Sequence, residues 1–394
     1  MTELQPNLPS LFVFDQSVTL NSPAGSCVLA EVLGLALDFD ITVFSSKLDS
    51  PHESKIKFVQ IPLPKKPLIL RYIVFQILAP LASAYQRLSN CHAGIALSQG
   101  TQGQYVGAEI VYAHFCHRAY LNSSWKDSPV GGTRRVARWL NHSLNACLER
   151  RAFLRARRIV TPSAGLAKEI ALTYPAVKER LITISNPIDL KAFSPPVEVE
   201  RVEFRKSLGI CPGEVVFVFV ALGDFARKGL GLILSAFAEM ADTWRSEASI
   251  LVVGGTAAEV KVFRELAESN GIEDRVRFVG FQSEIRPYLW ASDMFVFPSA
   301  YETFGLAIFQ AAAAGLPVAI TAGLHGSDDF VVDGVNGWTV ERSSLGVRKV
   351  LENAIKSPSS LKVMGRAAQN AAQHYSVESF VSRWKLVYSE VLAE

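Results

Sequence analysis

A carboxylate in a glycine-containing loop is the most chemically informative feature of this chain. Glu302 and Gly305 separate the apolar run Met294–Phe297, which predicts a buried strand, from residues 306–314, which predict a helix packed through its small side chains. In a parallel α/β sheet such a loop lies at the carboxyl end of its strand, and the first helix amides, those of Gly305 and Leu306, favour an anion such as phosphate. Glu302 can accept hydrogen bonds from hydroxyl groups beside that phosphate.

A second loop supplies positive charge. It follows a predicted strand at residues 215–222 and places Arg227 and Lys228 directly before Gly229, ahead of another predicted helix. The cations and the helix N-terminus both attract anions, so the sequence predicts a phosphate site here as well. The alternative is a solvated Arg-Lys turn without a ligand.

Together these loops resemble the nucleotide-sugar signature of the retaining GT-B glycosyltransferases of family 4 (glycosyl transferases group 1). In that family two glutamates are separated by seven residues, and the corresponding positions here are Glu302 and Gln310. The resemblance implies that Glu302 holds hydroxyls of the donor sugar and that the second position holds the ribose. An amide lacks the charge of a carboxylate, which predicts a ribose contact weaker by about 1–2 kcal/mol.

The resemblance also assigns roles to other residues. Lys228 matches the basic residue that binds the donor diphosphate and stabilises the leaving group, with Arg227 beside it, whereas Asp224 stands where many relatives have an arginine. The implied donor-binding positions in the C-terminal half are Phe281, Thr303, Phe304, Gly305, Leu306 and Gln310. Phe281 belongs to a segment whose backbone is expected to recognise the nucleotide base.

In the N-terminal half the resemblance points to His114 and Gly25. His114 ends a predicted strand and would donate a hydrogen bond to a sugar hydroxyl or orient the acceptor, and Gly25 lies in a loop expected to approach the phosphates. Two alternatives remain for His114: a structural histidine at a strand end, or a metal site with Cys116 and His117, although further ligands at suitable spacing are lacking in the sequence nearby.

The order of apolar runs predicts an α/β fold with two parallel sheets. By resemblance this is the GT-B architecture, two Rossmann-like doubly wound domains facing across a cleft. Residues 1–195 are expected to form the acceptor-binding domain, completed by a C-terminal helix at 377–394, and residues 196–376 the nucleotide-sugar-binding domain. Proline and an acidic run near the boundary suit a linker.

Bulk composition excludes several classes of protein. The chain has 394 residues, 49% hydrophobic, and a formal net charge of +3, which is too small to argue for nucleic-acid binding. Five widely spaced cysteines predict neither a disulfide framework nor a zinc ribbon. The first ten residues contain no Lys or Arg, so no basic secretory leader is predicted and a cytoplasmic location is expected.

Residues 68–81 are almost entirely apolar and are bordered by Lys65, Lys66 and Arg87. They predict a core or interface helix, with contact to an anionic membrane surface as the alternative. Clustered arginines could assist lipid binding or form a solvated helix face, namely Arg134, Arg135, Arg138, Arg150, Arg151, Arg155, Arg157 and Arg158.

The resemblance to the family 4 enzymes implies a retaining hexosyltransferase. The donor is expected to be a UDP- or GDP-sugar acting as co-substrate, with no cofactor and no metal, and the acceptor a glycan, a lipid-linked sugar or a small molecule, in surface polysaccharide or glycoconjugate synthesis. The alternatives are a nucleotide-sugar-binding protein without turnover, and a GT-B epimerase, for which no additional acid and base carboxylates can be assigned.

Overall fold

The computed structural model of the protein describes residues 8–50, 55–89, 97–101, 105–123, 125 and 132–394. The chain divides into two compact units. The first contains residues up to Pro187 together with Val377–Glu394, and the second is Ile188–Ser376. Each unit is built on a parallel sheet flanked by helices, so the predicted α/β class is confirmed.

The first unit holds a seven-stranded sheet in the order β3-β2-β1-β4-β5-β6-β7, and every described pairing is parallel. The strands are β1 Ser10–Phe14, β2 Asp40–Ser45, β3 Lys57–Gln60, β4 Leu97–Thr101, β5 Ile110–Tyr112, β6 Arg158–Thr161 and β7 Leu181–Thr183. Residues 94–97 also have the apolar pattern of a strand, and the part of this segment before Leu97 lies outside the described residues.

The helices of this unit form two layers, one on each face of the sheet. Alternate residues of β1 point to opposite faces, so β1 packs against both layers. The helices are α1 Pro23–Leu35, α2 Leu68–Ser89, α3 His117–Asn122, α4 Gly132–Arg155, α5 Ala164–Thr173 and α15 Val377–Ala393. Leu11 and Val13 pack in the cluster that contains α1 and α15. Phe12 and Phe14 pack in the cluster that contains α2, α4 and α5.

The C-terminal helix α15 belongs to this first unit and is anchored in its core. Trp384 and Tyr388 are fully buried, and the Tyr388 hydroxyl donates to Glu31 Oε1 at 2.5 Å. Gln99 Nε2 donates to Glu31 Oε2 at 3.0 Å, so the carboxyl group joins α1, β4 and α15. Burial raises the pKa of Glu31 to about 8.

The second unit holds a six-stranded parallel sheet in the order β10-β9-β8-β11-β12-β13. Its strands are β8 Val215–Ala221, β9 Ala248–Gly254, β10 Val276–Gly280, β11 Met294–Phe297, β12 Val318–Thr321 and β13 Gly337–Val340. The helices that pack on it include α6 Leu190–Phe193, α7 Glu198–Ser207, α8 Leu230–Ala238, α9 Asp242–Ser246, α10 Ala257–Ser269, α11 Arg286–Trp290, α12 Leu306–Ala313, α13 Ser344–Lys356 and α14 Pro358–Ala372.

The pair Asn336-Gly337 has a sequence typical of hairpin turns, but Gly337 begins β13, which runs parallel to β12. Asn336 is buried and its amide donates to the Phe330 carbonyl, so this side chain shapes the entry to a strand. The two compact units divide after Pro187, and the Trp290 indole, which donates to the Phe193 carbonyl at 2.9 Å, holds α6 on the second unit.

Candidate donor-binding site

The basic loop after β8 is held in a conformation that few sequences permit. Asp224 has φ 63°, in the left-handed region that is unusual for a residue with a side chain, and Gly229 has φ 87° at the start of α8. A Cβ atom on Gly229 would lie 2.3 Å from the Pro298 carbonyl oxygen. Glycine at this position therefore lets the basic loop pack directly against the loop that follows β11.

Glu259 fixes the beginning of the basic loop, a role that the sequence analysis missed. Its Oε1 accepts hydrogen bonds from the amides of Asp224 at 2.5 Å and Phe225 at 3.2 Å. Its Oε2 closes a capping box with Thr256 at the start of α10. These hydrogen bonds lower the pKa of Glu259 despite partial burial. The sequence does indicate the helix cap, because Thr256 and Glu259 have the spacing of a capping box.

The two cations of the loop converge on Glu302. Arg227 Nη1 lies 3.5 Å from Glu302 Oε1, and Lys228 Nζ lies 4.0 Å from the same oxygen. Arg227 is oriented by Asp224, whose carboxylate is 2.6 Å from Nε, and it also donates to the Tyr301 carbonyl. The structure thus brings together the three charged residues that the sequence predicted for this half of the site.

The ammonium group of Lys228 is largely shielded from water, as are the charged groups of Arg227 and Glu302. The Lys228 side chain is 19% exposed, and its ammonium lies 5.4 Å from the centre of the Phe297 ring. Burial lowers the pKa of Lys228, and the neighbouring Glu302 carboxylate opposes that effect. A partly buried ammonium beside a single carboxylate interacts strongly with additional negative charge, because little water screens it.

The loop after β11 positions Glu302 at the start of α12. The Ser299 hydroxyl, which is fully buried, donates to Glu302 Oε1 at 3.3 Å. Gly305 adopts φ 82° as the residue preceding the helix, where the amides that follow have no intrahelical acceptor. A bound anion can accept hydrogen bonds from those amides, and Thr303 and Leu306, both half-buried, flank the same turn.

The remaining predicted donor residues have different surroundings. The Phe304 side chain is buried and stacks on Phe309 with ring centres 4.3 Å apart, which leaves only its backbone for a ligand. Gln310 is half-buried on α12. Phe281 follows β10 with 58% of its surface exposed, directly after Gly280 at φ 69°. The ends of β8, β10 and β11 share one edge of this parallel sheet.

In the first unit, His114 follows β5 and its ring lies 4.1 Å from that of Tyr112. Its Nε2 atom is buried and has no hydrogen-bond partner among the residues that the structure describes. Burial lowers the pKa of His114 to about 3, so the imidazole is neutral at pH 7. A neutral ring with an unpaired nitrogen can exchange a hydrogen bond with a hydroxyl group.

Gly25 has a packing role in the first unit. A Cβ atom there would lie 2.3 Å from the Ser17 carbonyl oxygen, so glycine permits close approach of the loop after β1 to the start of α1. The Gly25 amide donates to the Ser22 side chain at 3.2 Å, which caps that helix. The close approach of the Ser17 carbonyl is therefore enough to explain why position 25 is a glycine, and no bound phosphate is needed for that explanation.

The neighbours of His114 in sequence take part in protein contacts. The Glu149 carboxylate accepts from the amides of His117 at 2.7 Å and Arg118 at 2.8 Å, and Cys116 Sγ lies 3.8 Å from it. Burial raises the pKa of Glu149 to about 7. Across the described part of the chain, no group of three or more His, Cys, Asp or Glu residues could hold a metal ion.

Comparisons with known proteins agree with this architecture. Residues 29–192 match the family model described as Glycosyltransferase Family 4, and residues 200–371 match that described as Glycosyl transferases group 1. A fold of two Rossmann-like units and a charged loop pair at the carboxyl edge of the second sheet define a GT-B glycosyltransferase. The chain belongs to the family 4 glycosyltransferases of this fold.

Sequence relatives that carry the name of an activity are distant from this chain. A D-inositol 3-phosphate glycosyltransferase of Rhodococcus erythropolis is 32% identical over 58% of this chain and 53% of its own length. An alpha-maltose-1-phosphate synthase of Mycobacterium tuberculosis is 26% identical over 68% of this chain and 70% of its own length. The chain therefore spans about half of the first relative and seven tenths of the second.

Solved structures share the fold over nearly the whole chain. WaaG, a glycosyltransferase involved in lipopolysaccharide biosynthesis, has a TM-score of 0.75 at 17% identity and covers 95% of this chain and 98% of its own. Anabaena HepE in complex with UDP-glucose has a TM-score of 0.72 at 19% identity, and the match covers 97% of this chain and 99% of the HepE chain. At these identities the likeness concerns the fold alone.

Proposed function

We propose that this glycosyltransferase moves a hexose-type sugar from a UDP- or GDP-sugar to a hydroxyl acceptor with retention of configuration. The observation that carries the proposal is the convergence of Arg227 and Lys228 on Glu302 between two helix N-termini. Two cations and helix amides suit a diphosphate, and one carboxylate suits the hydroxyls of a neutral sugar.

In this proposal, the bond between the anomeric carbon and the diphosphate oxygen breaks while the acceptor oxygen bonds to the same face of the sugar. The departing diphosphate takes the acceptor proton, and Lys228 and Arg227 stabilise its negative charge. A retaining hydrolase would instead need a second carboxylate about 5–5.5 Å from the first. The chain offers Gln310 at the second signature position, which has no nucleophilic charge.

We also propose that the protein's own cations neutralise the diphosphate, so that transfer proceeds without a metal ion. His114, neutral and with an unpaired Nε2 atom among the described residues, is proposed to bond a substrate hydroxyl. Phe281 and the backbone beside it are proposed to pack on the nucleotide base. We further propose a role in surface glycan or glycoconjugate synthesis, with a glycan, a lipid-linked sugar or a small molecule as acceptor. The relative named D-inositol 3-phosphate glycosyltransferase supports a small acceptor.

The test begins with donor binding. Thermal unfolding is measured with UDP-, GDP-, ADP- and TDP-glucose, since a ligand at about 100 times its dissociation constant stabilises the native state by about 2.7 kcal/mol. The donor that binds is then supplied with candidate acceptors, and the released nucleoside diphosphate is quantified in the presence of EDTA. The anomeric configuration of the product, read by proton NMR, tests retention.

Glu302→Gln and Lys228→Ala are expected to lower turnover by at least about a hundredfold, the scale of lost transition-state charge stabilisation. Lys261→Ala is the matched control, because Lys261 lies on the same unit with its side chain 78% exposed. Near-normal turnover in both site variants would refute the assignment. Tight donor binding without transfer to any acceptor would favour the alternative of a nucleotide-sugar-binding protein.

A further inference from the structure

Helix α2 presents an apolar face to solvent. Leu70, Ile73, Ile77 and Leu81 are spaced three or four residues apart, so they lie on one side of the helix. Each is between 43% and 63% exposed. These four residues form a continuous apolar stripe, a surface that a water-soluble protein rarely exposes without a partner.

The opposite side of α2 is fastened to the first unit. Phe75 and Ala79 are buried in the core beneath the sheet. Arg71 donates to the Gln16 side chain at 3.1 Å and to the Gln16 carbonyl at 3.0 Å. Among the described residues, Leu68–Leu88 is the one helix long and apolar enough to cross a membrane, but these contacts hold it along the surface of the unit.

Helix α4 packs against α2 and also exposes apolar side chains. Val136, Trp139 and Leu140, close to its N-terminus, are 59%, 47% and 46% exposed. Tyr85 on α2 is 72% exposed. Tyrosine and tryptophan favour the boundary between lipid headgroups and acyl chains, because their rings are apolar and carry one polar group.

The described charged residues of α2, of residues 55–67 before it and of the exposed surface of α4 are all positive. Lys65 and Lys66 are exposed directly before α2, and Arg135 is exposed on α4. Helix α2 contains no Asp or Glu, and the one acidic residue of α4, Glu149, is buried. A second copy of the chain bound through a two-fold axis would place this basic area against itself. An anionic surface is instead complementary to it.

We propose that the apolar stripe, together with the adjacent basic residues, docks the protein on an anionic lipid bilayer. The stripe enters the acyl boundary while Lys65, Lys66 and Arg135 contact the headgroups, so that α2 lies in the plane of the membrane. This goes beyond sugar transfer, because binding to vesicles requires neither donor nor acceptor, and its result is independent of whether the protein is an active transferase.

The experiment is co-sedimentation of the full chain with vesicles of phosphatidylcholine alone and of phosphatidylcholine mixed with phosphatidylglycerol. We expect binding to the mixed vesicles that weakens with added salt. The double variant Ile77→Asp, Leu81→Asp is expected to lose at least about tenfold in the partition coefficient, because two apolar side chains are replaced by anions. The double variant Lys65→Gln, Lys66→Gln should lower the partition coefficient by about fivefold for each charge removed.

Leu386→Asp is the matched control. Leu386 is 64% exposed, close to the 63% of Leu81, but it lies on α15, in the helix layer on the other side of the sheet. We expect this variant to bind vesicles as the wild type does. Circular dichroism and thermal unfolding establish that all variants are folded, which their exposed positions favour.

Three outcomes would overturn the proposal. The first is absence of wild-type binding to the mixed vesicles. The second is equal binding by the Ile77→Asp, Leu81→Asp variant. The third is a wild-type dimer in sedimentation velocity that this double variant converts to a monomer, because the stripe would then be an interface between copies of the chain.

Discussion

Gly229 packs against the Pro298 carbonyl in the candidate site, and this close packing predicts the effect of adding a side chain there. Gly229→Ala adds a methyl group at φ 87°, 2.3 Å from the Pro298 carbonyl oxygen. Gly213→Ala is the matched control, since Gly213 has φ 82° and a Cβ atom there would meet nothing within 4 Å. Gly213 precedes β8, at the edge of the sheet opposite the basic loop.

The magnitudes follow from two separate costs. A side chain in the left-handed region costs about 1–2 kcal/mol, and both variants pay it. Only Gly229→Ala also overlaps backbone, and such overpacking costs typically about 1–3 kcal/mol. For a domain of this size, about 2–4 °C of melting temperature corresponds to each kcal/mol, so we expect Gly229→Ala to melt roughly 2–12 °C below Gly213→Ala.

Donor binding should separate the variants further. The overlap pushes the loop that carries Arg227 and Lys228 away from Glu302. Loss of one charge-assisted contact to the diphosphate, about 1.5–3 kcal/mol, raises the donor dissociation constant by about 10- to 150-fold. Isothermal titration with the donor at a temperature where both variants are folded measures this. Equal donor affinity in the two variants would refute the reasoning.

Three further predictions concern carboxylates. Glu259→Gln should raise the donor dissociation constant by roughly 5- to 30-fold in titration calorimetry, because an amide holds the loop amides of Asp224 and Phe225 less strongly, while the exposed Glu265→Gln leaves it unchanged. Asp224→Asn should tighten donor binding by up to about fivefold at low salt and less at high salt, because Arg227 loses its competing ion pair; a weaker Kd would contradict this. The pKa of Glu31 rises on folding from 4.5 to about 8, so the native state binds more protons between these values. The free energy of unfolding should therefore fall as pH rises through that window, by at most about 1.4 kcal/mol per unit, and Glu31→Gln should flatten the slope in urea titrations.

Local patterns in the sequence predicted much of the second unit. The apolar runs that became β8 and β11 were recognised because buried parallel strands are continuously apolar. Gly229 and Gly305 were recognised as loop residues before helices, and both adopt positive φ. Arg227, Lys228 and Glu302 were predicted from their place beside those glycines. Arg227 Nη1 and Lys228 Nζ lie 3.5 Å and 4.0 Å from Glu302 Oε1.

Only the tertiary structure revealed which distant residues support these loops. Glu259 reaches the basic loop because β8 and β9 are neighbours, and Tyr388 reaches Glu31 because α15 packs on α1. The space that Gly25 provides is taken by the Ser17 carbonyl. Hydrophobic periodicity and backbone preference act over a few residues and can be read from the sequence, whereas a hydrogen bond between distant segments depends on the packing of the whole unit.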